Sequence, residues 1–277
     1  MHLESILGEP VADAEEEAFV VFSQAIPSQS LGFIDSQAST LEVSVGGNDL
    51  TIHQSRGLLT SDRKSGTTGA VVWKVTPRFA NWISSPTNFL STSFLLTPSS
   101  TILELGAGVS GIVALALGPK VSHYTATDQD YVLKLLRQNI AENLDTAFPK
   151  QKKHGSKTKN KASSGHDDRI SCMELDWETD AVSNLQPVDL VIACDCIYNE
   201  SLVEPLNSTC AAICRLQQDA GKPTICLIAQ QLRSPDVFEA WLKSFHEKFV
   251  VWQVPDKLLD AGLREGSGFV VHVGVVR

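Results

Sequence analysis

Several short runs carry residue types that could do chemistry. In Glu104-Leu105-Gly106-Ala107-Gly108-Val109-Ser110-Gly111 the glycines have G-x-G-x-x-G spacing directly after an apolar, strand-like stretch. The first two glycines permit a tight turn and close backbone approach by a ligand, and the third lets a helix pack on the strand. Asp128 ends the next strand-like stretch, 22 residues after Gly106. A carboxylate at that place can accept both hydroxyl protons of a ribose; the plainer alternative is a glycine turn with Asp128 capping a helix that starts near Gln129.

The acid ahead of the turn bears on which nucleotide fits. In a dinucleotide site the helix N-terminus faces a pyrophosphate, and a carboxylate beside it repels that anion. Glu104 stands at that strand tip. It suits a cationic ligand, and S-adenosylmethionine carries an ammonium and a sulfonium without a phosphate. The E-x-G-x-G order therefore favours the methyl donor over NAD.

Other chemistries lack their residues. The seven histidines include no i, i+4 pair and no H-E-x-x-H run, and the six cysteines form no C-x-x-C knuckles; no metal site and no disulfide framework is expected, and reduced core thiols of a cytoplasmic protein are the reading. Ser/His/Asp hydrolysis calls for G-x-S-x-G, whereas Ser110 lies in Gly-Val-Ser-Gly. No apolar run reaches the roughly 18 residues of a membrane span, and the start of the chain lacks a signal-peptide pattern. The net charge of −9 argues against direct nucleic-acid binding and suits a basic partner. Charge is uneven: residues 146–168 hold six Lys and two Asp, net +4, so the remainder carries −13. That stretch, almost without apolar residues, reads as a mobile insert; a polybasic contact is the functional alternative.

The elements that must position these residues follow from periodicity. Upstream of residue 95 the pattern is β-like, with LEVSV (41–45) and LTIHQ (50–54) alternating around Gly46-Gly47-Asn48-Asp49, a hairpin. Beyond about residue 100, strands are expected at 101–105, 122–127, 170–175, 188–194, 223–229, 248–254 and 268–276, with helices at 110–117, 129–143, 202–217 and 235–246. Such alternation predicts an α/β fold with a doubly wound, mostly parallel seven-stranded sheet. The Gly-containing loop 255–267 is too short for a crossover helix, so the last strand should run antiparallel.

Together, the ELGAGVSG turn, Asp128, the Leu175-Asp176-Trp177 triplet, the run Asp195-Cys196-Ile197-Tyr198-Asn199-Glu200 and the earlier Thr68-Gly69-Ala70-Val71-Val72-Trp73 resemble the family-16 protein lysine methyltransferases, which have a Rossmann-like, class I methyltransferase fold and a D-x-x-Y motif. The resemblance covers roughly residues 65–277 and looks closest to the fungal ribosomal lysine methyltransferase 5 group, whose substrate class is a large-subunit ribosomal protein. It implies a methyltransferase domain at 65–277, with the lysine-rich insert at 146–168, behind an N-terminal hairpin extension at 1–64. It further implies that Gly106, Ala107 and Gly108 line the methionine and ribose part of the donor, with Glu104 at the strand tip beside them. Asp128 would hold the ribose, Asp176 and Trp177 would meet the adenine, Ala193 would contact the donor through its backbone, and Trp73 would close the pocket. Asp195 and Tyr198 of the D-x-x-Y run would serve the acceptor lysine. Both Trp73 and Trp177 could instead be core filler. Asn199, where relatives often place an aromatic, and the insert depart from the family pattern.

Lysine methylation requires a neutral amine, and a free lysine is neutral at pH 7 only about once in 2,500. A carboxylate near the amine raises its pKa, while burial and the sulfonium lower it. The expectation is that Asp195 recruits the cationic side chain, which then loses its proton to water, while Tyr198 walls the channel. A purely capping Asp195 is disfavoured because Ser201 would fill the cap of helix 202–217. An NAD-linked reductase, a donor-fold protein that binds a partner without transferring methyl groups, another protein acceptor and a small-molecule acceptor stay open at this level.

Overall fold

The computed structural model describes residues 3–62, 67–148, 168–217 and 222–277. The predicted insert falls largely outside them, at 149–167. The hairpin is formed by β1 (Thr40–Val45) and β2 (Asn48–His53), with Val45 paired to Asn48 across a Gly46-Gly47 turn. The main sheet holds β3 (Thr101–Leu105), β4 (His123–Asp128), β5 (Ile170–Glu174), β6 (Leu190–Cys194), β7 (Ile225–Gln231), β8 (Phe249–Gln253) and β9 (Phe269–Val276) in the order β5-β4-β3-β6-β7-β9-β8. Pairings from β5 to β7 are parallel, and β9 runs antiparallel between β7 and β8.

The helices cover both faces. Alternate residues of one strand point to opposite sides, so Ile102 of β3 joins one apolar cluster while Leu103 and Leu105 join the other. The first face carries α4 (Val75–Ser84), α6 (Ile112–Leu117) and α7 (Asp130–Ala147). The second carries α2 (Ala14–Ser23), α8 (Val203–Arg215) and α9 (Pro235–Lys248). Buried on both sides, β6 reads Leu-Val-Ile-Ala-Cys without a polar residue. On α9, Trp241 is fully buried and stacks on Phe245 at 5.2 Å; its Nε1–H has no partner among the described residues.

Upstream of residue 95 the β-like expectation holds for the hairpin and is otherwise corrected. Helices α1 (Leu3–Leu7), α2, α3 (Arg56–Leu59), α4 and α5 (Phe89–Thr92) fill this region. Val75, Phe79, Trp82 and Ile83 bury one face of α4 at helical spacing. Pro77 lies in the first turn, where its missing N–H costs nothing because that donor has no intrahelical partner. Leu3, Leu7, Val43 and Ile52 share a cluster with Ile102 and Tyr124, so the first residues pack onto the sheet unit. Two buried asparagines on α7 tie the hairpin down: Asn139 Oδ1 accepts the His53 N–H at 2.8 Å and Asn143 Oδ1 the Thr51 N–H at 3.0 Å. Strand order reverses at β3, between β4 and β6, which opens a crevice at the carboxyl ends of these strands.

Candidate functional site

The crevice is a cleft of roughly 860 Å³, counting its open mouth. Its floor is the glycine turn. Gly106 has φ +66°, and a Cβ there would lie 2.7 Å from Cys196 Sγ and 3.0 Å from Trp177 Cζ2. Only glycine fits, because both the left-handed backbone and the space exclude a side chain. The turn is pinned to β4, as Ala107 N–H donates to Thr127 O at 3.0 Å and the Thr127 hydroxyl donates to Glu104 O at 2.7 Å. From the N-terminal side, Gly69 O accepts the Val109 N–H at 2.8 Å.

Both oxygens of Asp128 accept backbone N–H groups, Oδ2 from Gly108 and Oδ1 from Gln129, each at 2.8 Å. The carboxylate thus links the glycine turn to the start of α7, whose N-cap Gln129 makes no side-chain cap bond. Burial pushes its pKa up to about 6, against the lowering effect of the two N–H donors. Glu104 is buried, and Tyr124 OH donates to its Oε2 at 2.9 Å. Burial pushes this carboxyl up to about 8, with Tyr124 pulling the other way and Asp128 adding repulsion. In sequence Glu104 reads as a carboxylate, whereas its burial favours the protonated form.

Opposite the turn stand Trp177, on the cleft wall, and Asp176, whose Oδ2 accepts from Gln129 Nε2 at 3.0 Å. Trp73, Tyr198 and Asp195 line the same cleft. Tyr198 is 39% exposed and bonds the Thr68 side chain, while Trp73 Nε1 donates to Thr68 O at 3.0 Å. Ala193 does not line the cleft: it is fully buried within the sheet, and Cys194, one residue nearer the strand end, takes that place.

Asp195 is not the free carboxylate that the sequence suggests. Arg233 donates to both of its oxygens, Nη1 to Oδ1 at 2.7 Å and Nη2 to Oδ2 at 2.6 Å, and Gln231 N–H donates to Oδ1 at 3.1 Å. The backbone of Asp195 has φ +61°, a left-handed conformation that Asp tolerates better than most residues. The cap expectation also needs correction. Ser201 caps nothing; Asn199 Oδ1 accepts the Ser201 N–H at 3.1 Å and opens the 3₁₀ turn Glu200–Leu202 that leads into α8.

Of the expected site residues, Glu104, Gly106, Ala107, Gly108, Asp128, Asp176, Trp177, Trp73, Asp195 and Tyr198 therefore share one cleft, and Ala193 stands behind it. Sequence reasoning did not single out Thr76, Gln129, Tyr131 or Cys194 as lining residues. Gln129 and Tyr131 directly follow Asp128 at the start of a helix facing the turn, a position that could have found them. Arg233 carries no local signal, since only the pairing of β6 with β7 brings it to Asp195.

Comparison with known proteins bears on the chemistry. A family model described as lysine methyltransferase matches residues 52–245. Ribosomal lysine N-methyltransferase 5 of Zygosaccharomyces rouxii is 34% identical over 222 residues, covering 70% of this chain and 70% of that protein. The protein of that name from Vanderwaltozyma polyspora is 27% identical over 287 residues, covering 84% and 88%. A diaminohydroxyphosphoribosylamino-pyrimidine deaminase of Schizosaccharomyces pombe is 30% identical over 245 residues, covering 87% of this chain but only 53% of that protein, so its name is not carried over. Among solved structures, a Pyrococcus abyssi tRNA (uracil-54, C5)-methyltransferase in complex with S-adenosyl-L-homocysteine superposes with a TM-score of 0.43 at 13% identity, covering 87% of this chain and 45% of that one. With the family model spanning most of the sheet and its cleft, the chain belongs to the lysine methyltransferase family.

Proposed function

We propose that this enzyme methylates the ε-amine of a lysine in a large-subunit ribosomal protein, in the cytoplasm, with the acceptor approaching past Tyr198. Lysine methylation with S-adenosylmethionine as donor follows from the family. The ribosomal acceptor is supported by the name that the fungal relatives share, and a basic acceptor by the net charge of −9. The observation that carries the reading is a single cleft lined both by a glycine turn flanked by two acids and by an exposed tyrosine.

The residues fit such a donor. Gly106, Ala107 and Gly108 bring backbone to the cleft lining, Asp128 offers a carboxylate to ribose hydroxyls, and Trp177 offers an aromatic face to adenine. Glu104 answers a cation without inviting a phosphate. When bound, the donor supplies a methyl group on a sulfonium, which a neutral amine displaces in line. The chain's part is to position, to exclude water and to keep the amine deprotonated. Trp73 and Tyr198, both tied to Thr68, form the wall along which the lysine stem is aligned.

The burial of Glu104 predicts a pH dependence. With its proton held up to about 8 against an ordinary 4.5, the unliganded protein loses stability as the pH rises through that window, because the unfolded chain releases the proton first. A cationic donor favours the ionised form, so binding releases a proton and affinity rises towards pH 8. Calorimetry in buffers of different ionisation enthalpy should show this release, and Glu104→Gln should flatten the dependence; an equal slope in both proteins would remove Glu104 from donor recognition.

The acceptor is tested by incubating the enzyme with labelled donor and acid-extracted large-subunit ribosomal proteins, followed by mass spectrometry. Lysine mass shifts in multiples of one methyl group are expected. Labelling confined to other proteins or to small molecules would discard the ribosomal acceptor.

A further inference from the structure

We propose that Arg233 is the positioning residue of the acceptor side: by closing the Asp195 carboxylate into a two-point pair, it presents the incoming amine with a neutral wall, so that lysine is held as the reactive free base. The inference rests on the Tyr198 opening being the acceptor path. The Asp195 side chain is 1% exposed against 21% for Arg233, so the carboxylate meets its cation inside the protein. Three further groups hold the guanidinium in place, and a fourth holds the carboxylate. The guanidinium carbon lies 4.9 Å from the centre of the Trp73 ring, Nε donates to Leu31 O at 3.3 Å, Nη2 donates to Gln231 Oε1 at 3.2 Å, and the Gln231 N–H shares Oδ1 of Asp195. Arg233 thus spans the segment at Leu31, the cleft wall at Trp73 and the end of β7.

Electrostatics gives this arrangement a consequence. An unpaired carboxylate within about 4–6 Å of an amine raises its pKa by about 1–3 units and shrinks the free-base fraction by the same powers of ten. The planar fork of an arginine saturates both oxygens, which a lysine cannot do. A sequence-level role for Asp195 as recruiter would hold the substrate in its unreactive form; the pair with Arg233 removes that conflict.

Other titratable groups line the same cleft. Burial pushes the Cys194 and Cys196 thiols and the Tyr198 phenol up, which keeps them neutral around neutral pH. Burial pushes Asp128 up to about 6 and Glu104 up to about 8 on the glycine-turn side, and Asp176 and Glu178 belong to the loop after β5. Lys74, beside Trp73, is turned to the Gln29 carbonyl at 3.1 Å. Rates at saturating donor, compared between variants, cancel the contribution of the donor-side acids.

The test is the pH dependence of kcat and KM for the ribosomal protein extract, with donor affinity measured in parallel, for the parent, Arg233→Gln and Arg233→Lys. Arg233→Gln is expected to lower kcat at pH 7 by about tenfold or more while KM stays level or falls, and to recover as the pH rises by about one unit or more. Donor affinity should be unchanged, and Arg233→Lys, which keeps the charge but cannot close both carboxylate oxygens, should restore only part of the rate. If Arg233→Gln does not fold, Gly32→Ala reads the same effect. At φ +96°, a Cβ on Gly32 would overlap Gln231 Oε1 and stand 2.7 Å from Arg233 Nη2, displacing both ends of the bond between them without deleting the charge of Arg233. A smaller shift in the same direction is then expected. A profile of unchanged shape, lowered uniformly, overturns the proposal. A parent enzyme that binds the donor but labels no ribosomal protein overturns the acceptor reading, and the role of Arg233 with it.

Discussion

Asp128→Ala should weaken donor binding by about 100-fold or more, a loss of about 3 kcal/mol, while the protein remains folded. Two effects act together. The substitution removes the proposed partner of the ribose hydroxyls, and it strands the N–H groups of Gly108 and Gln129, which both donate to this carboxylate at 2.8 Å. Because the first N–H belongs to the glycine turn itself, the turn loosens where the ligand must approach most closely. Asp128→Asn is expected to fall between, since its amide keeps one acceptor and turns an NH₂ towards the other donor. Titration calorimetry decides: donor affinity within about threefold of the parent in the alanine variant would mean that this side chain is scaffolding alone.

Trp241→Ala should cost about 3–5 kcal/mol of stability, among the largest losses available to a single truncation here. At roughly 2–4 °C per kcal/mol for a domain of this size, the melting temperature should fall by about 6–20 °C. The indole is fully buried against Phe245 and Phe238, and the helix it belongs to covers one face of the sheet. Trp241→Phe should cost far less: it keeps an aromatic face on Phe245 and deletes an Nε1–H that has no partner among the described residues. Donor affinity at low temperature should not move in either variant, because α9 lies on the face away from the glycine turn. Equal melting temperatures for the alanine and phenylalanine variants would contradict this packing argument.

Much of the sheet was legible because hydrophobic period and glycine punctuation agree along it. The expected strand at 101–105 is β3 itself, and of the stripe Leu133, Leu136, Ile140 and Leu144 the first three are buried on α7 while Leu144 is half-buried against the same cluster. The same stripe hid Asn139 and Asn143, which are buried for a polar reason: they satisfy the backbone of β2, which no local pattern announces. Likewise the β-like expectation upstream of residue 95 hid α4, whose buried face of Val75, Phe79, Trp82 and Ile83 has helical spacing. At the cleft, residue types were readable and their states were not. Glu104 shows itself as an acid in sequence, yet its proton depends on burial beside Tyr124, a residue of the next strand. Asp195 shows itself as a charge, yet its partner lies 38 residues on and reaches it only through the parallel pairing of β6 and β7.

The position of β9 has a consequence for how the molecule is made. In chain order it is the last strand of the sheet, yet it sits between β7 and β8 and pairs with both. While the polypeptide is being synthesised, β3, β4 and β6 can assemble the glycine turn and its carboxylates well before β9 leaves the ribosome. Until it does, β7 presents a bare edge that is apolar from Ile225 to Ala229 and β8 has no neighbour, an interval in which a nascent chain is exposed to adhesion by other strands.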